Sequence, residues 1–449
     1  MNFFWIVSFR LPLDIAVASR KLKEARSVDM ATQIGIFDAD LQRWKRTWAY
    51  VSALIPLMRI LFCNDSFPGH FESLATHFAS DPANEVLFAS RYERRDFALP
   101  RVRRIQFRAP RDRDLSARDP LVAEWTRAVD MGRQALVSFT QVRSAGYAPD
   151  MVLFSAGNGV SLFVERAFPE SFRIAYLDSS PAHRMDDADS RAAALMVQGY
   201  TLFECHRAYA FSSHHRDAFP QILRSSIGII PLAVDTDFFR SEASSPFFSG
   251  IIPRELVSIA VKDPGILAGS GLLRVVTALL LKRPFCHVLL VCGFGQSAQL
   301  LRAFSGLGEE CLSRLHACEF LRRPLYRDML CCSTVHVCPR RHSGMLVELL
   351  ETMSCGTVLL APLPCGEDLV PGSNMLAWPE TPQEQFKTLC RVLDDAEARE
   401  KMGGNARQTV LRHYDQKDAL PRHAGELLEA YREWEQAKPP EASGGANGD

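Results

Sequence analysis

Charge of one sign is what the sequence lacks most plainly. Lys+Arg and Asp+Glu both number 52, a formal net charge of zero. A dedicated nucleic-acid binder needs a positive excess to displace counterions from phosphates, so that class is set aside and no nucleic-acid partner is expected. No Gly-Lys-Ser/Thr follows any glycine loop, which excludes a P-loop, and no full Gly-x-Gly-x-x-Gly opens the first α/β unit. No Cys-x-x-Cys pair occurs and no Cys/His spacing suits zinc, so no metal is expected at the site. Long apolar runs are missing too. The start, MNFFWIVSFRLPL, is apolar for about nine residues and then meets Arg10. That is too short for a membrane span and lacks the preceding basic residues of a signal peptide.

What is present reads as a globular enzyme. The 449 residues are 47% hydrophobic and 23% charged, enough for two or three domains. Ten of the twelve cysteines fall between Cys286 and Cys390. Several of these, such as Cys292 and Cys338, sit in apolar runs where cysteine acts as a small hydrophobe. Reduced thiols and a cytoplasmic setting are the expectation. Nine arginines between Arg91 and Arg113 make a local basic stretch, either a solvated face or a surface for phosphates or an anionic inner membrane face.

Residues 1–57 are unlike the rest and read as an extension or a mis-set start. From Met58 the chain alternates strand and helix. Ile60 to Phe62 is a short strand, Asn64 to Gly69 a turn-rich loop, Phe71 to Phe78 a helix and Glu85 to Ala89 a strand. Residues 101–150 read as polar, then helical from Leu121 to Gln141. MVLFSAGNG, from Met151, runs a strand into a glycine loop. Val160 to Phe168 reads as a helix and Phe172 to Leu177 as a strand. The Ser-rich stretch Ser241 to Gly250 marks a boundary, giving a first domain over 58–240 and a second over 241–415. In the second, Leu256 to Val261, His287 to Cys292 and Thr334 to Cys338 read as strands. A last helix, Pro421 to Gln436, falls within a separate unit, 416–437. The tail 438–449 is disordered by composition. Alternation of this kind predicts an α/β protein with two Rossmann-like, doubly wound domains.

One stretch concentrates the chemistry: His342 to Pro362, HSGMLVELLETMSCGTVLLAP. It reads as a loop, a helix stopped by Gly356 and a buried parallel strand. The loop and helix start lie at the carboxyl end of a strand, where ligands bind in such sheets and where free N–H groups meet anions. Glu351 then falls on the first two turns, either beside a ligand or as a solvated carboxylate. Three glycine loops qualify for phosphate contact: Ala156 to Gly159, Gly269 to Gly271 and Gly293 to Gly295. Asp235-Thr236-Asp237 has the form of a metal-binding Asp-x-Asp, but its place at a domain boundary favours a turn or cap.

These motifs together resemble the family 4 glycosyltransferases, retaining enzymes of the GT-B fold. The family's opening Asn-Phe-Pro-Gly-Gln-Phe appears as Asn64 to Phe71, and its His-Pro-Gly-Trp-Gly-Glu as Ser155 to Val160. The linker Ile-x-Asp-Gly-Val-Asp-Thr-Asp-x-Phe appears as Ile230 to Phe239. Leu-Leu-Glu-Ala-Met-Ala-Cys-Gly-Thr appears as Leu349 to Thr357, and Glu367 with Gly372 and Asn374 fits the segment after it.

The resemblance implies a sugar passed from a nucleotide-sugar donor to a hydroxyl acceptor: a glycan, a lipid-linked carbohydrate or a small molecule. No cofactor beyond the donor and no metal are implied. Glu351 would hold the donor ribose as the second glutamate of Glu-x7-Glu, and Lys262 would grip the leaving diphosphate. Ser343 and Gly344 fall at the catalytic loop. Met345, Leu346, Arg274, Gly293 and Glu367 fall on the donor side. Gly69, His70, Gly159, Asp178 and His183 fall on the acceptor side. The final helix would cross back to the first domain. Two departures stand out. Ser343 occupies the place of the first glutamate, and Ser270 that of the second cation, with Arg274 one turn on. A catalytically degenerate GT-B subunit that binds a nucleotide-sugar, glycan or protein is the competing expectation.

Overall fold

The computed structural model describes residues 58–91, 98–108, 119–157, 159–177, 188–242, 247–248, 253–261, 267, 271–293, 295–319, 321–339, 346–363 and 366–438. The expected extension, 1–57, and the tail from 439 lie outside them.

The first sheet is all parallel, in the order β3-β2-β1-β4-β5-β6-β7. Its strands are β1 Met58–Cys63, β2 Asn84–Ser90, β3 Val102–Gln106, β4 Met151–Ser155, β5 Phe172–Leu177, β6 Arg207–Ala210 and β7 Ile227–Ile229. Its helices are α1 Glu72–Ser80, α2 Pro120–Ser144, α3 Val164–Ala167, α4 Ala188–Glu204, α5 Ser213–Asp217 and α6 Gln221–Arg224. The second sheet, also parallel, runs β10-β9-β8-β11-β12-β13. Its strands are β8 Glu255–Val261, β9 Cys286–Cys292, β10 Leu315–Cys318, β11 Val335–Val337, β12 Val358–Ala361 and β13 Leu376–Ala377. Helices α7 Leu272–Lys282, α8 Ser297–Arg302, α9 Glu309–Leu312, α10 Arg323–Cys332, α11 Leu346–Ser354, α12 Pro382–Asp394 and α13 Ala396–His413 accompany it. Helix α14, Gln416–Ala437, ends the described chain.

Both sheets are built from near-continuous apolar strands because helices cover both faces. β4 and β5 are buried at every residue. Helix α7 shows the complementary pattern: Leu272, Val275, Val276, Leu279 and Leu280 form one buried stripe at helical spacing. Each such side chain is worth about 1.5–3 kcal/mol of transfer free energy. The order of strands reverses between β1 and β4 in the first sheet and between β8 and β11 in the second. Those reversals fix where a doubly wound sheet opens its crevice: at the loops following these four strands.

Three sequence expectations change. The sequence over 101–106 is polar, yet Val102–Gln106 is strand β3. It lies at the sheet's edge, where one face is wet and its arginines are satisfied: Arg103 pairs with Glu85 and Arg104 lies 4.0 Å over the Phe67 ring. Arg91 is tied to Asp65 at 2.7 Å, so part of the basic stretch serves the fold. The helix expected from Val160 to Phe168 shrinks to α3, Val164–Ala167, because residues 159–163 turn. The last helix starts at Gln416 rather than Pro421, since Asp415 caps it by accepting the Lys417 N–H at 3.0 Å.

Helix α14 packs on the first domain. Tyr176 of β5 and His423 are hydrogen bonded at 2.6 Å, Phe172 meets Trp434 with ring centroids 5.3 Å apart, and Arg207 pairs with Glu433 at 3.1 Å. The chain therefore passes between the domains twice, once in the linker and once here. The two passages are stitched together: Val234 donates to Tyr414 O at 2.8 Å and accepts from Gln416 N at 2.9 Å. Asp235 is a turn cap, its Oδ1 accepting the Phe238 N–H at 3.0 Å, and Asp237 pairs with Lys417 at 2.8 Å.

Candidate active site

In the first domain the crevice loops follow β1 and β4. After β1 the chain turns through Asn64 to Pro68. Gly69 has φ +56°, and a Cβ there would stand 2.2 Å from Asn64 Nδ2, so this turn requires glycine. His70 follows, half-buried, its ring 4.1 Å from Phe71 and 5.1 Å from Phe211. It lines a small pocket with Phe71, Tyr176, Phe211, Leu232 and His423. Leu420 and His423 of α14 also line that pocket, so His70 faces the crossing helix. Burial, with the charges of His77 and His70, pulls the His423 pKa down to about 3, so His423 is neutral. After β4, Gly159 has φ +84°, and a Cβ there would stand 2.3 Å from Ala128 O of α2. Close helix packing accounts for this glycine without any ligand. Asp178 and His183 lie outside the described residues.

In the second domain the crevice loops follow β8 and β11. Lys262, Ser343, Gly344 and Met345 are in them and lie outside the described residues; of Leu346 only the backbone, opening α11, is described. Glu351 is half-buried on the second turn of α11. Thr352 anchors the helix by donating to Glu348 O at 2.7 Å, and Gly356 closes it with φ +72°. Arg274 stands exposed in the first turn of α7, behind Gly271. Gly271 is also left-handed, φ +72°, with Pro382 where its Cβ would go. Gly293 donates its N–H to Gln296 Oε1 at 3.1 Å, so that amide is spent within the loop.

Glu367 reaches across to the first domain. Its Oε1 accepts the Ser213 N–H at the start of α5, in the first domain. Burial raises its carboxyl pKa, but the hydrogen bonds from Ser213 outweigh that and hold it below the usual range. A second tie crosses the domains beside Glu351. Arg323 of α10 pairs with Glu72 of α1, and its guanidinium lies over Phe238 and Phe239 at 5.0 and 5.3 Å. Burial lowers the Arg323 pKa while the nearby Glu351 carboxylate pulls it back. Glu351 thus sits within the electrostatic reach of a residue that contacts the opposite domain. Tyr326 is partly buried in the same region, its phenol pushed well up by burial and then by Glu348 and Glu351.

Residues 82–239 match the glycosyl transferase family 4 group. The match spans the first domain from β2 through the linker. HepE from Anabaena, solved in complex with UDP and glucose, superposes with a TM-score of 0.61 at 14% identity, over 83% of this chain and 99% of that one. Sucrose-phosphate synthase from Thermosynechococcus elongatus gives 0.64 at 16% identity, over 85% of this chain and 100% of the other. A glycosyltransferase from Rickettsia africae gives 0.56 at 12% identity, over 85% and 99%. No curated protein matches the sequence. At these identities the likeness establishes the fold, GT-B: two parallel sheets with helices on both faces.

Gly69 and His70 lie on the first-domain side, after β1, and Glu351 lies on the second-domain side, on α11 after β11. Sequence reading missed Arg323 and Glu72, which join the two sides. Neither carries a motif. Arg323 sits in an Arg-Arg-Pro run with no periodic signal, and its significance depends on a partner far away in the chain.

Proposed function

We propose that the protein transfers a sugar from a nucleotide-sugar to a hydroxyl acceptor with retention of configuration. The observation that carries this reading is Glu351. It is a half-buried carboxylate on the second turn of a helix at the crevice end of the second sheet, beside the first domain. A carboxylate accepts two hydrogen bonds side by side, as a ribose diol offers them. The helix start ahead of it suits the diphosphate. Lys262, one residue past β8, supplies the cation that stabilises charge on the leaving phosphate, the term that matters most in such a transfer. No metal is called on for this step. UDP-sugars are the first donors to test, since HepE is solved with UDP and with UDP-glucose. Gly69 and His70 are the acceptor-side groups, with a carbohydrate or lipid-linked hydroxyl as acceptor.

Ser343, where the family's first glutamate is expected, favours a second reading: a GT-B subunit that binds donor without turning it over. A screen of UDP-, GDP- and ADP-sugars for binding, hydrolysis and transfer separates the two. Turnover of any donor supports the transferase. Tight binding with no turnover across the screen supports the binding subunit.

A further inference from the structure

The central strand of the second sheet carries a histidine. His336 lies between Val335 and Val337 on β11 and is fully buried. Its Nδ1 is 2.8 Å from Ser258 Oγ on β8. Ser258 Oγ is 2.8 Å from Ser333 Oγ, and Ser333 Oγ donates to Met329 O at 2.7 Å. Each serine owns one hydroxyl proton, so the direction of the chain is determined. The Ser333 proton goes to the carbonyl and the Ser258 proton goes to Ser333. The Ser258 oxygen is then left to accept the His336 Nδ1–H. A neutral His336 therefore turns a lone pair outward at Nε2. That atom has no hydrogen-bond donor among the described residues, and it faces Glu348 Oε1 on α11 at 3.5 Å. Two acceptors aimed at each other repel unless a proton or a metal ion lies between them.

Cys338 supplies a third donor. Two residues beyond His336, it shares that face of the strand and is buried. His336, Cys338 and Glu348 bring their ligand atoms within 4.8 Å of one another. Tetrahedral zinc, with bonds of about 2.0–2.3 Å, needs donors roughly 3.3–3.6 Å apart. The imidazole and carboxylate already meet this, and small rotations of the thiol and carboxylate close the rest. An imidazole whose other nitrogen donates to an ordered hydroxyl is also how metal-bound histidines are oriented. We propose that His336, Cys338 and Glu348 bind one zinc-class divalent ion that ties β11 to the first turn of α11. Binding displaces one proton from the Cys338 thiol to solvent as the sulfur–metal bond forms. Three protein donors leave the fourth tetrahedral position to water, and the role of the site is to hold structure. It fixes the helix that carries Glu351 and is independent of the transfer reaction proposed above. A search for Cys-x-x-Cys spacing misses it because its third donor comes from the helix.

Purified full-length protein, equilibrated with zinc and dialysed, is expected to retain one equivalent by elemental analysis. Cobalt is expected to give a thiolate-to-metal charge-transfer band. Cys338→Ala, which keeps a small apolar group, and Glu348→Gln should both abolish the bound equivalent, and Cys338→Ala the band. Ser258→Ala, acting through the His336 ring, should weaken binding about 10- to 100-fold. Cys355→Ala should retain both signals. Far-ultraviolet circular dichroism checks that each variant is folded, and Glu348→Gln, at the more accessible position, stands in if Cys338→Ala is not. Failure to retain metal overturns the proposal. So does a cobalt band that survives Cys338→Ala.

Discussion

Adjacent glycines on α13 should respond to the same substitution with opposite signs. Gly403 is buried against the end of α11, and a Cβ built there stands 2.1 Å from Gly356 O. That is more than an ångström inside ordinary contact, and the obstacle is backbone at a left-handed cap, φ +72°, which cannot swing aside. Gly404, one residue on, has nothing within 4 Å of its Cβ position and is exposed. Replacing a helical glycine with alanine is worth about 0.8–1 kcal/mol of propensity at either site. Gly404→Ala should therefore stabilise by that amount. Gly403→Ala gains the same propensity but overpacks a rigid contact, at a cost near the upper end of about 1–3 kcal/mol. It should be destabilised by roughly 2 kcal/mol net, some 3 kcal/mol below its neighbour. Urea unfolding midpoints at a common slope measure the difference. Equal midpoints for the two variants would show that α13 does not bear on Gly356, and that the packing proposed to hold α11 is wrong.

Acid should weaken the docking of α14. The His423 pKa is pulled down to about 3, against about 6.5 when unfolded. The unfolded chain therefore takes up a proton first. The full contribution of this site is present above about pH 6.5 and is lost as pH falls towards 3, at up to about 1.4 kcal/mol per unit. Unfolding of His423→Gln followed between pH 7 and 4 should show a flatter pH dependence, and an unchanged slope would refute the assignment. Glu367→Ala removes the hydrogen bond to Ser213 N. Because the carboxylate is exposed, the thermal midpoint should hardly move, while small-angle scattering should broaden as the domains part. The wild-type contact, with its carboxyl held low, should persist above the ordinary carboxylate range and fail only as pH drops through the lowered value. Scattering identical to wild type at neutral pH would discount this tie.

Much of the architecture was legible because two periods dominate the chain. β1, β4, β5 and β9 announce themselves as apolar runs ended by glycine or turn residues, and Gly356 marks the end of α11 through its backbone alone. β3 escaped because an edge strand does not need an apolar sequence: Val102–Gln106 keeps three polar positions wet or paired. The candidate site divided in the same way. The place of Glu351, on the second turn of a helix that follows a strand, was readable from local sequence. Its surroundings were not. Arg323 gains its meaning from Glu72 and the Phe238–Phe239 pair, and Glu367 from an amide in the other domain. His336 hid inside the apolar run Val335 to Cys338, where pattern reading counts a polar residue as noise and Cys338 as a small hydrophobe. Only the register that sets β11 beside β8, with Val337 opposite Ile259, brings Ser258 to the ring.

The central claim is that Glu351 holds a nucleotide-sugar, and calorimetry of UDP-glucose against wild type and Glu351→Ala tests it most directly. Losing hydrogen bonds to a charged group costs about 1.5–3 kcal/mol, so the variant should bind about 10- to 150-fold more weakly with its fold intact. Equal affinity in the two proteins would contradict the account.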